Sequence, residues 1–424
     1  MTKTAAKKSI LVLSHSPYVG GAELALKSLI ESTKGQYNWT VIVPGTITPD
    51  AAITPDSVEY ITLPGLPWWC YEQHDKPPLI NKRLLEKSLT MLRRLAQKAD
   101  ILLTNSMVIP WLGFIAHETN KPHIWYIHEY GDIDHNLNFI AGYSETLRMI
   151  TACSSRVLTI SNDVKEHIGR IIPKNKIDII RQSIDLTDLT SIQAVESFDK
   201  LSLLCLGAIK PSKGQHVALE AVAQTPNVTL DIIGPAADHQ FANDLVERAK
   251  ELPHVLVQIR RYTPLIELAT HNVLLMCSEH EGLGRVTLEA LAAGRLVIGY
   301  GCRSTKELLA DNRGLLYSPN TPESLRRAIQ TASNKLRQTP VDFEQNRAYV
   351  SQEFSQDAQA ADFYRCASKA GPLPTTAKPS ILAYAKIIDA NNLWEKPAHQ
   401  VLTRARHITP APLKQLVKRL IRRT

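Results

Sequence analysis

Along most of this chain, brief apolar runs alternate with longer segments whose apolar positions recur every three or four residues. "SILVLSH" at 9–15 is followed by "GAELALKSLIEST" at 21–33, and "WTVIVPG" by "LLEKSLTMLRRLAQKA", where Leu84, Leu85, Leu89, Leu92 and Leu95 keep near-helical spacing. "DILLTNS", "PHIWYIHE" and "RVLTIS" are again short and mostly apolar, as strands buried on both faces are. The alternation restarts at "LSLLCLGA", 201–208, and runs through "GQHVALEAVAQ", "VTLDIIG", "QFANDLVERAKEL", "HVLVQI", "PLIELATH", "NVLLMCS", "RVTLEALAAG", "LVIGY" and "GLLYS" to "TPESLRRAIQTASN". Gly294 is the expected stop of one helix, and Thr321 with Pro322 the expected start of another. Strand and helix in alternation predict parallel sheets covered by helices. Two such series, broken near residue 190, predict an α/β protein. Its doubly wound parallel-sheet domains, 1–190 and 191–370, face each other across a cleft. At 424 residues the chain is also too long for one ordinary core.

Composition narrows the class. With 44% apolar and 21% charged residues the chain reads as soluble and globular. "ILVL" and "VLLMC" are too short to span a bilayer, and "MTKTAAKKSILVLSHS" lacks the longer apolar run of a secretory leader. A cytoplasmic protein is expected. The six cysteines form no CxxC pair, so reduced, mostly buried thiols are expected rather than disulfides or a zinc site. Residues 371–424 hold ten Lys/Arg against Asp389 and Glu395, while residues 1–370 balance 39 against 39. The basic character belongs to this C-terminal extension, and the neutral body excludes a nucleic-acid-tracking protein.

The extension ends in "PAPLKQLVKRLIRRT". On a helix, Leu413, Leu416, Val417, Leu420 and Ile421 share one face, and Lys414, Lys418, Arg419, Arg422 and Arg423 occupy the rest. That is the pattern of an interfacial helix on an anionic membrane, where each charge contributes about 1 kcal/mol. Docking on the protein's own surface and a solvated basic end are the alternatives. Trp68 and Trp69, adjacent in a Pro-bearing loop, either join the membrane contact, touch a substrate, or pack inward.

Ligands of open parallel sheets sit beyond the carboxyl ends of the strands, and three loops lie there. In "SPYVGGAE", Gly20 and Gly21 allow close backbone approach before a helix start, but the third glycine of a dinucleotide fingerprint is missing. In "GAIKPSKGQ", Lys213 precedes Gly214 and a helix; it can meet phosphate oxygens, though the P-loop spacing is absent. In "EHEGLGRVTLEALAAG", Glu281 lies in a loop held open by Gly282 and Gly284, and Glu289 about one turn into the next helix. One continuous helix would put these carboxylates about 12 Å apart; the break brings both toward one pocket beside free helix N–H groups. "HEYGDIDH" collects His128, Glu129, Asp132, Asp134 and His135, but the spacing fits no helical zinc signature, so no metal site is expected.

Together these motifs resemble glycosyltransferase family 4, the glycosyl transferases of group 1. "GGAE" at 20–23, "G-x-x-x-P-x-K-G" at 207–214 and the glutamate pair with seven residues between, Glu281 and Glu289, carry the resemblance across residues 9–365. It implies the GT-B architecture of two Rossmann-like domains and a retaining, metal-independent transfer of a sugar from a nucleotide-diphosphate sugar. No cofactor is implied. Glu289 would hold the donor ribose and Glu281 the donor sugar. Gly282, Leu283 and Gly284 would offer backbone N–H groups, Lys213 would neutralise the leaving diphosphate, and Gly20 and Gly21 would close over the phosphates. His128 matches the family's cleft histidine near the reacting carbon. An envelope polysaccharide or lipid-linked acceptor at the inner face of a bacterial plasma membrane follows from the basic tail and family habit. Three positions depart from the pattern: Ala208 where arginine is usual, Arg303 and Ser304 in place of a glycine pair ahead of Glu307, and "QSID" for the usual "NG" before "VD". Lys210 or Arg285 are the candidate substitutes for the lost cation. The departures leave a catalytically weak or silent nucleotide-sugar binder, or a GT-B sugar-nucleotide epimerase, as rival readings.

Overall fold

A computed structural model describes residues 7–46, 55, 58–72, 75–193, 200–338, 343–373 and 381–394. In the first domain the strands are β1 Lys8–Ser14, β2 Tyr37–Pro44, β3 Glu59–Leu63, β4 Cys70–Glu72, β5 Ile101–Asn105, β6 His123–Ile127, β7 Leu137–Phe139, β8 Arg156–Thr159 and β9 Ile177–Ile179. Five helices accompany them: α1 Gly21–Thr33, α2 Lys82–Lys98, α3 Trp111–Thr119, α4 Tyr143–Cys153 and α5 Asn162–Ile168. Seven strands form one parallel sheet in the order β3-β2-β1-β5-β6-β8-β9, and β4 and β7 pair separately, antiparallel. All residues of β5 and β6 are buried, which is why their sequences show no alternation.

The second domain repeats the plan with β10 Leu201–Leu206, β11 Val228–Gly234, β12 Val255–Ile259, β13 Val273–Met276, β14 Leu296–Tyr300 and β15 Leu315–Tyr317, ordered β12-β11-β10-β13-β14-β15. Its helices are α6 Gln215–Ala223, α7 His239–Ala249, α8 Pro264–Thr270, α9 Arg285–Ala292, α10 Arg303–Leu308 and α11 Pro322–Gln338. Strand order reverses between β1 and β5 in one sheet and between β10 and β13 in the other. Those switch points open the crevices in which doubly wound sheets bind ligands.

The chain then crosses back. After α12 Phe343–Glu353, α13 Gln356–Lys369 lies on the first domain. There Arg181 grips Asp362 with Nε at 2.9 Å and Nη2 at 3.0 Å, and Ser28 Oγ donates to Gln359 Oε1 at 2.7 Å. Phe363 packs against Tyr37 and Trp39. The last described helix, α14 Ile381–Ala390, buries Tyr384 among Trp69, Trp111 and Phe114. Leu393 O then accepts from the Ile80 N–H at 2.7 Å. Trp69 therefore packs inward, while Trp68 stays partly buried with its Nε1 donating to His15 O at 3.0 Å. One apolar cluster runs from the first domain through α9, α12 and α13, and a second fills the far face of the second sheet under α6, α7 and α11. All six cysteines are free thiols, five of them buried. Lys414, Lys418, Arg419, Arg422 and Arg423 lie outside the described residues.

Candidate active site at the interdomain cleft

The donor loops converge at the second switch point. The loop after β10 turns at Gly214, whose φ of +69° and proximity to the Cys277 carbonyl leave no room for a side chain: a Cβ there would stand 2.3 Å from that oxygen. This close approach seats Lys213 over the loop after β13, where its Nζ meets Glu281 Oε2 at 2.7 Å. Burial pushes the Glu281 pKa up, but the charge and hydrogen bond of Lys213, with help from Ser278 and Lys210, outweigh it and hold the carboxyl below its usual range. Lys210 shares the space. Burial, then repulsion from Lys213, holds its pKa down, with Asp134, Glu281 and Glu72 opposing. The structure thus brings Lys210 as well as Lys213 near Glu281.

Glu289 sits one turn into α9, which starts after Gly284. It is 8% exposed, and burial raises its carboxyl to about 7 against only a weak pull from Arg285, whose Nη2 is 3.7 Å away. Arg285 Nη1 and Thr287 Oγ1 are buried with no hydrogen-bond partner among the described residues. Tyr262, after β12, feels both carboxylates: burial, Glu289 and Glu281 together raise its hydroxyl to about 12. Tyr262 is thus a group that senses both glutamates of the split pair.

On the opposite wall, His128 follows β6. Its Nε2 is 2.7 Å from Asn105 Oδ1, and its Nδ1 is 3.4 Å from Gln182 Nε2. Asn105 Nδ2 donates to the Ala22 carbonyl at 3.2 Å and to Ser14 Oγ at 3.0 Å. A carbonyl only accepts, so the amide orientation is fixed, and with it the proton on His128 Nε2. Burial drives the ring down to about 3, keeping it neutral. His128 lies in the cleft, with both nitrogens already engaged. Gly20 precedes α1, with Glu23 Oε2 2.9 Å from where its Cβ would be, whereas Gly21 faces open space.

The walls touch through a clasp. Gly282 lies where a Cβ would be 2.8 Å from the His128 carbonyl, so its lack of a side chain lets the domains meet; Leu283 is buried. Arg303, with φ +50°, reaches from α10 to Asp163 Oδ2 at 3.1 Å and His280 Nδ1 at 3.0 Å, and lies 5.0 Å over the Tyr130 ring. The Tyr130 hydroxyl points at Asp163 Oδ2, 2.6 Å, and at the Glu281 carbonyl, 3.2 Å, to which Ser304 Oγ also donates. Asn162 Nδ2 donates to Glu307 Oε1 at 2.7 Å. Of the two residues that depart from the family pattern, Arg303 bridges the domains and Ser304 holds the backbone of Glu281.

The acidic run around 128–135 is spent locally. Glu129 accepts from the Met107 and His128 amides, 2.6 and 2.9 Å. Asp134 accepts from the Tyr130 and Gly131 amides, 2.9 and 2.7 Å, and Asp132 meets His167 Nε2 at 2.8 Å. Among the described residues no group of three or more His, Cys, Asp or Glu is placed to hold a metal ion. His15, Asn105, Gln182, Tyr130, Asp163 and Tyr262 had no assigned role in the sequence reading. His15 and Asn105 carried a signal, lying at the ends of the two strands that flank the first switch point, and Gln182 stood in the departing "QSID".

Comparison with known proteins speaks to the family and the fold. Residues 19–188 match the family described as Glycosyltransferase Family 4, and residues 190–348 match Glycosyl transferases group 1. A stretch of 143 residues is 31% identical to the lipopolysaccharide core biosynthesis glycosyltransferase LpsE of Rhizobium meliloti (strain 1021); it spans 32% of this chain and 41% of that protein's length. The structure of Anabaena HepE in complex with UDP superimposes with a TM-score of 0.69 at 18% identity, over 85% of this chain and 99% of that one. The apo lipopolysaccharide outer core galactosyltransferase WaaB gives 0.64 at 16% identity, over 85% and 98%. The chain belongs to glycosyltransferase family 4, its second half to the group 1 glycosyl transferases, on the two-domain GT-B fold.

Proposed function

We propose that this protein is a retaining glycosyltransferase that moves a sugar from a nucleotide-diphosphate sugar to an envelope polysaccharide or lipid-linked acceptor. The observation that carries the donor half is the cationic surplus at the start of α9. Lys210, Lys213 and the unsatisfied Arg285 Nη1 gather where Glu281 is the one carboxylate tightly paired with a cation. Such a site attracts a diphosphate, and Glu289 beside it suits the vicinal hydroxyls of a ribose. In this reading the leaving diphosphate is met by these cations and the α9 N-terminus, without a required metal, so chelator leaves turnover unchanged. UDP is the first base to try, because HepE was solved with UDP and with UDP-glucose.

The acceptor half rests on charge. The exposed face of α2 carries Lys82, Arg83, Lys87, Arg94 and Lys98 against Glu86, and Lys82 Nζ lies 5.6 Å over Trp394, from which the basic tail continues. This basic surface on the first domain suits an anionic bilayer and a lipid-linked acceptor. Among the described residues no helix is long and apolar enough to cross a membrane, so the contact would be peripheral.

The test is thermal unfolding with UDP, GDP, ADP and dTDP, each with and without Glu289→Ala. A ligand at a hundred times its dissociation constant adds about 2.7 kcal/mol to the folded state. A shift with one nucleotide, lost in the variant, supports the donor site and names the base. No shift at millimolar nucleotide removes the proposal. Ala208 and Arg303 favour a second reading, a binder without turnover. It predicts the nucleotide shift with neither transfer nor donor hydrolysis, whereas an epimerase would convert the donor with no acceptor present.

A further inference from the structure

A strand at one rim of the second sheet is left as a free edge. β12 pairs with β11 on one side and, among the described residues, with no strand on the other. The bonds on its paired side run through even-numbered residues. The Leu230 N–H donates to the His254 carbonyl at 2.9 Å, and the Arg260 N–H to the Gly234 carbonyl at 3.0 Å. In a parallel ladder alternate residues supply both groups, so Val255, Val257 and Ile259 turn theirs outward. The Val255 N–H is taken by the Leu252 carbonyl at 2.9 Å. What remains facing outward is the N–H and C=O of Val257, the same groups of Ile259, and the Val255 C=O.

The other three sheet edges are blunted. β3 opens with the exposed Glu59. β9 carries Asp178, which Arg156 Nε meets at 2.8 Å and Lys369 Nζ at 3.2 Å. β15 is three residues long. β12, "VLVQI", is five residues long and holds neither charge nor proline, the devices that keep an edge from pairing. Leu256 and Ile259 are 49% and 43% exposed, and Ile266 on α8 is 61% exposed. Three of the eight exposed large apolar side chains among the described residues thus fall between 256 and 266.

We propose that β12 pairs antiparallel with β12 of a second copy of this chain, about a two-fold axis through Val257. The edge is self-complementary in that register. The two Val257 residues exchange both of their bonds. Each Ile259 N–H reaches the Val255 carbonyl of the other copy, an acceptor whose own N–H is already engaged. Leu256 faces Gln258 of the other copy across a non-hydrogen-bonded pair, which covers the most exposed side chain of the strand. Charge agrees with this register: Arg261, beyond one end of the strand, comes diagonally opposite Glu251, beyond the other. A foreign strand would satisfy the backbone equally well. The Ile259–Val255 match and the Arg261–Glu251 pairing are properties of this sequence set against itself. A stable interface buries about 1,200–2,000 Å² in total, more than one short strand on each side supplies, so the dimer is weak and forms across the micromolar range. β12 runs into Tyr262, which senses Glu281 and Glu289, so pairing also holds the segment that leads to the two glutamates. The inference does not rest on the transferase reading.

Sedimentation velocity of the full chain should show monomer giving way to dimer as concentration rises through the micromolar range. Leu256→Lys puts a charge on the exposed face of the strand and should keep the chain monomeric at every concentration, with an unchanged unfolding transition. Cross-linking under oxidised glutathione reads the register. Leu256→Cys combined with Gln258→Cys should give a covalent dimer, because facing α-carbons of a non-hydrogen-bonded pair stand about 4.5 Å apart, within disulfide range. Leu256→Cys alone should not, since it faces glutamine. Where Leu256→Lys fails to fold, the cross-link alone decides. A wild type that stays monomeric overturns the proposal, as does a dimer in which the double-cysteine variant does not cross-link. A monomer that floats with phosphatidylglycerol vesicles only while Leu256 is intact gives this face to a membrane and overturns the dimer too. Failure of every nucleotide to bind removes the transferase reading and leaves the dimer standing.

Discussion

The two walls of the cleft handle polarity in opposite ways. On the first domain, Glu23, Ser14, Asn105, His128 and Gln182 form one hydrogen-bonded chain whose proton positions are set by a carboxylate at one end and the Ala22 carbonyl in the middle. On the second, charges stand close with few partners: Lys210 is repelled by Lys213, Arg285 reaches Glu289 only at 3.7 Å, and Glu289 is buried toward neutrality. A wall that is already satisfied can hold a geometry; a wall with surplus charge has capacity to spend on a dianion. That division is what the proposed transferase reading asks of a donor bound mainly by the second domain.

The largest way to break the comparison is Lys213→Ala. It removes a cation from the leaving group and strands Glu281 half-buried, so kcat should fall about 10²–10³-fold, the scale of losing one preorganised charge-stabilising donor. Gln182→Ala on the other wall removes only a 3.4 Å bond and should cost less than tenfold by steady-state kinetics. Equal losses would mean that the walls do not divide the work in this way.

Glu289 sharpens the same contrast through pH. Its folded pKa is raised by burial to about 7, above the ordinary carboxyl value of 4.5. The folded state therefore binds more protons than the unfolded chain between those values, so this group's contribution to stability is fully present below about 4.5 and lost as pH rises through 7. Chemical denaturation from pH 5 to 8 should show stability falling for the wild type relative to Glu289→Gln. Nucleotide should flatten the difference, because ribose hydroxyls donate to the ionised carboxylate and favour it. An unchanged slope in Glu289→Gln would place the titration elsewhere.

Much of this was legible in the chain, and the limits have physical reasons. α1 is read to the residue, from a rough apolar face of Leu24, Leu26 and Leu29 over 21–33. β5 and β6 are read from their unbroken apolar runs. α5 and α10, of seven and six residues, are too short to show periodicity, and α3 buries its first six residues and so reads as no face at all. The donor motifs were visible because glycine and charge at fixed spacing are local signals. The Asn105–His128 and Tyr130–Asp163–Arg303 contacts were not, since they join residues 23, 33 and 140 positions apart that only the folded sheets bring together.

Arg303→Gly tests whether the clasp matters to function more than to stability. Glycine relieves a left-handed backbone that costs other residues about 1–2 kcal/mol, which offsets the lost ion pair. Unfolding should change little, while the loop carrying Glu281 loosens and nucleotide affinity falls about threefold to tenfold by calorimetry. Unchanged affinity would make Arg303 a surface ion pair without consequence.

The smallest effect is also the most diagnostic. Tyr130→Phe keeps the ring under Arg303 and removes one hydroxyl, so alone it should cost about 1 kcal/mol of stability. Asp163 keeps Arg303, and the Glu281 carbonyl keeps the Ser304 hydroxyl. Arg303→Ala alone likewise leaves Tyr130 bonded to Asp163. Each variant retains one donor to a carboxylate at the domain boundary, and only the double variant strips both. A double-mutant cycle should therefore show coupling of about 0.5–1 kcal/mol, the pair costing more than the sum of the singles. Additivity would mean that Asp163 is already satisfied by solvent, and that the two walls are held together by the apolar cluster beneath them rather than by the clasp.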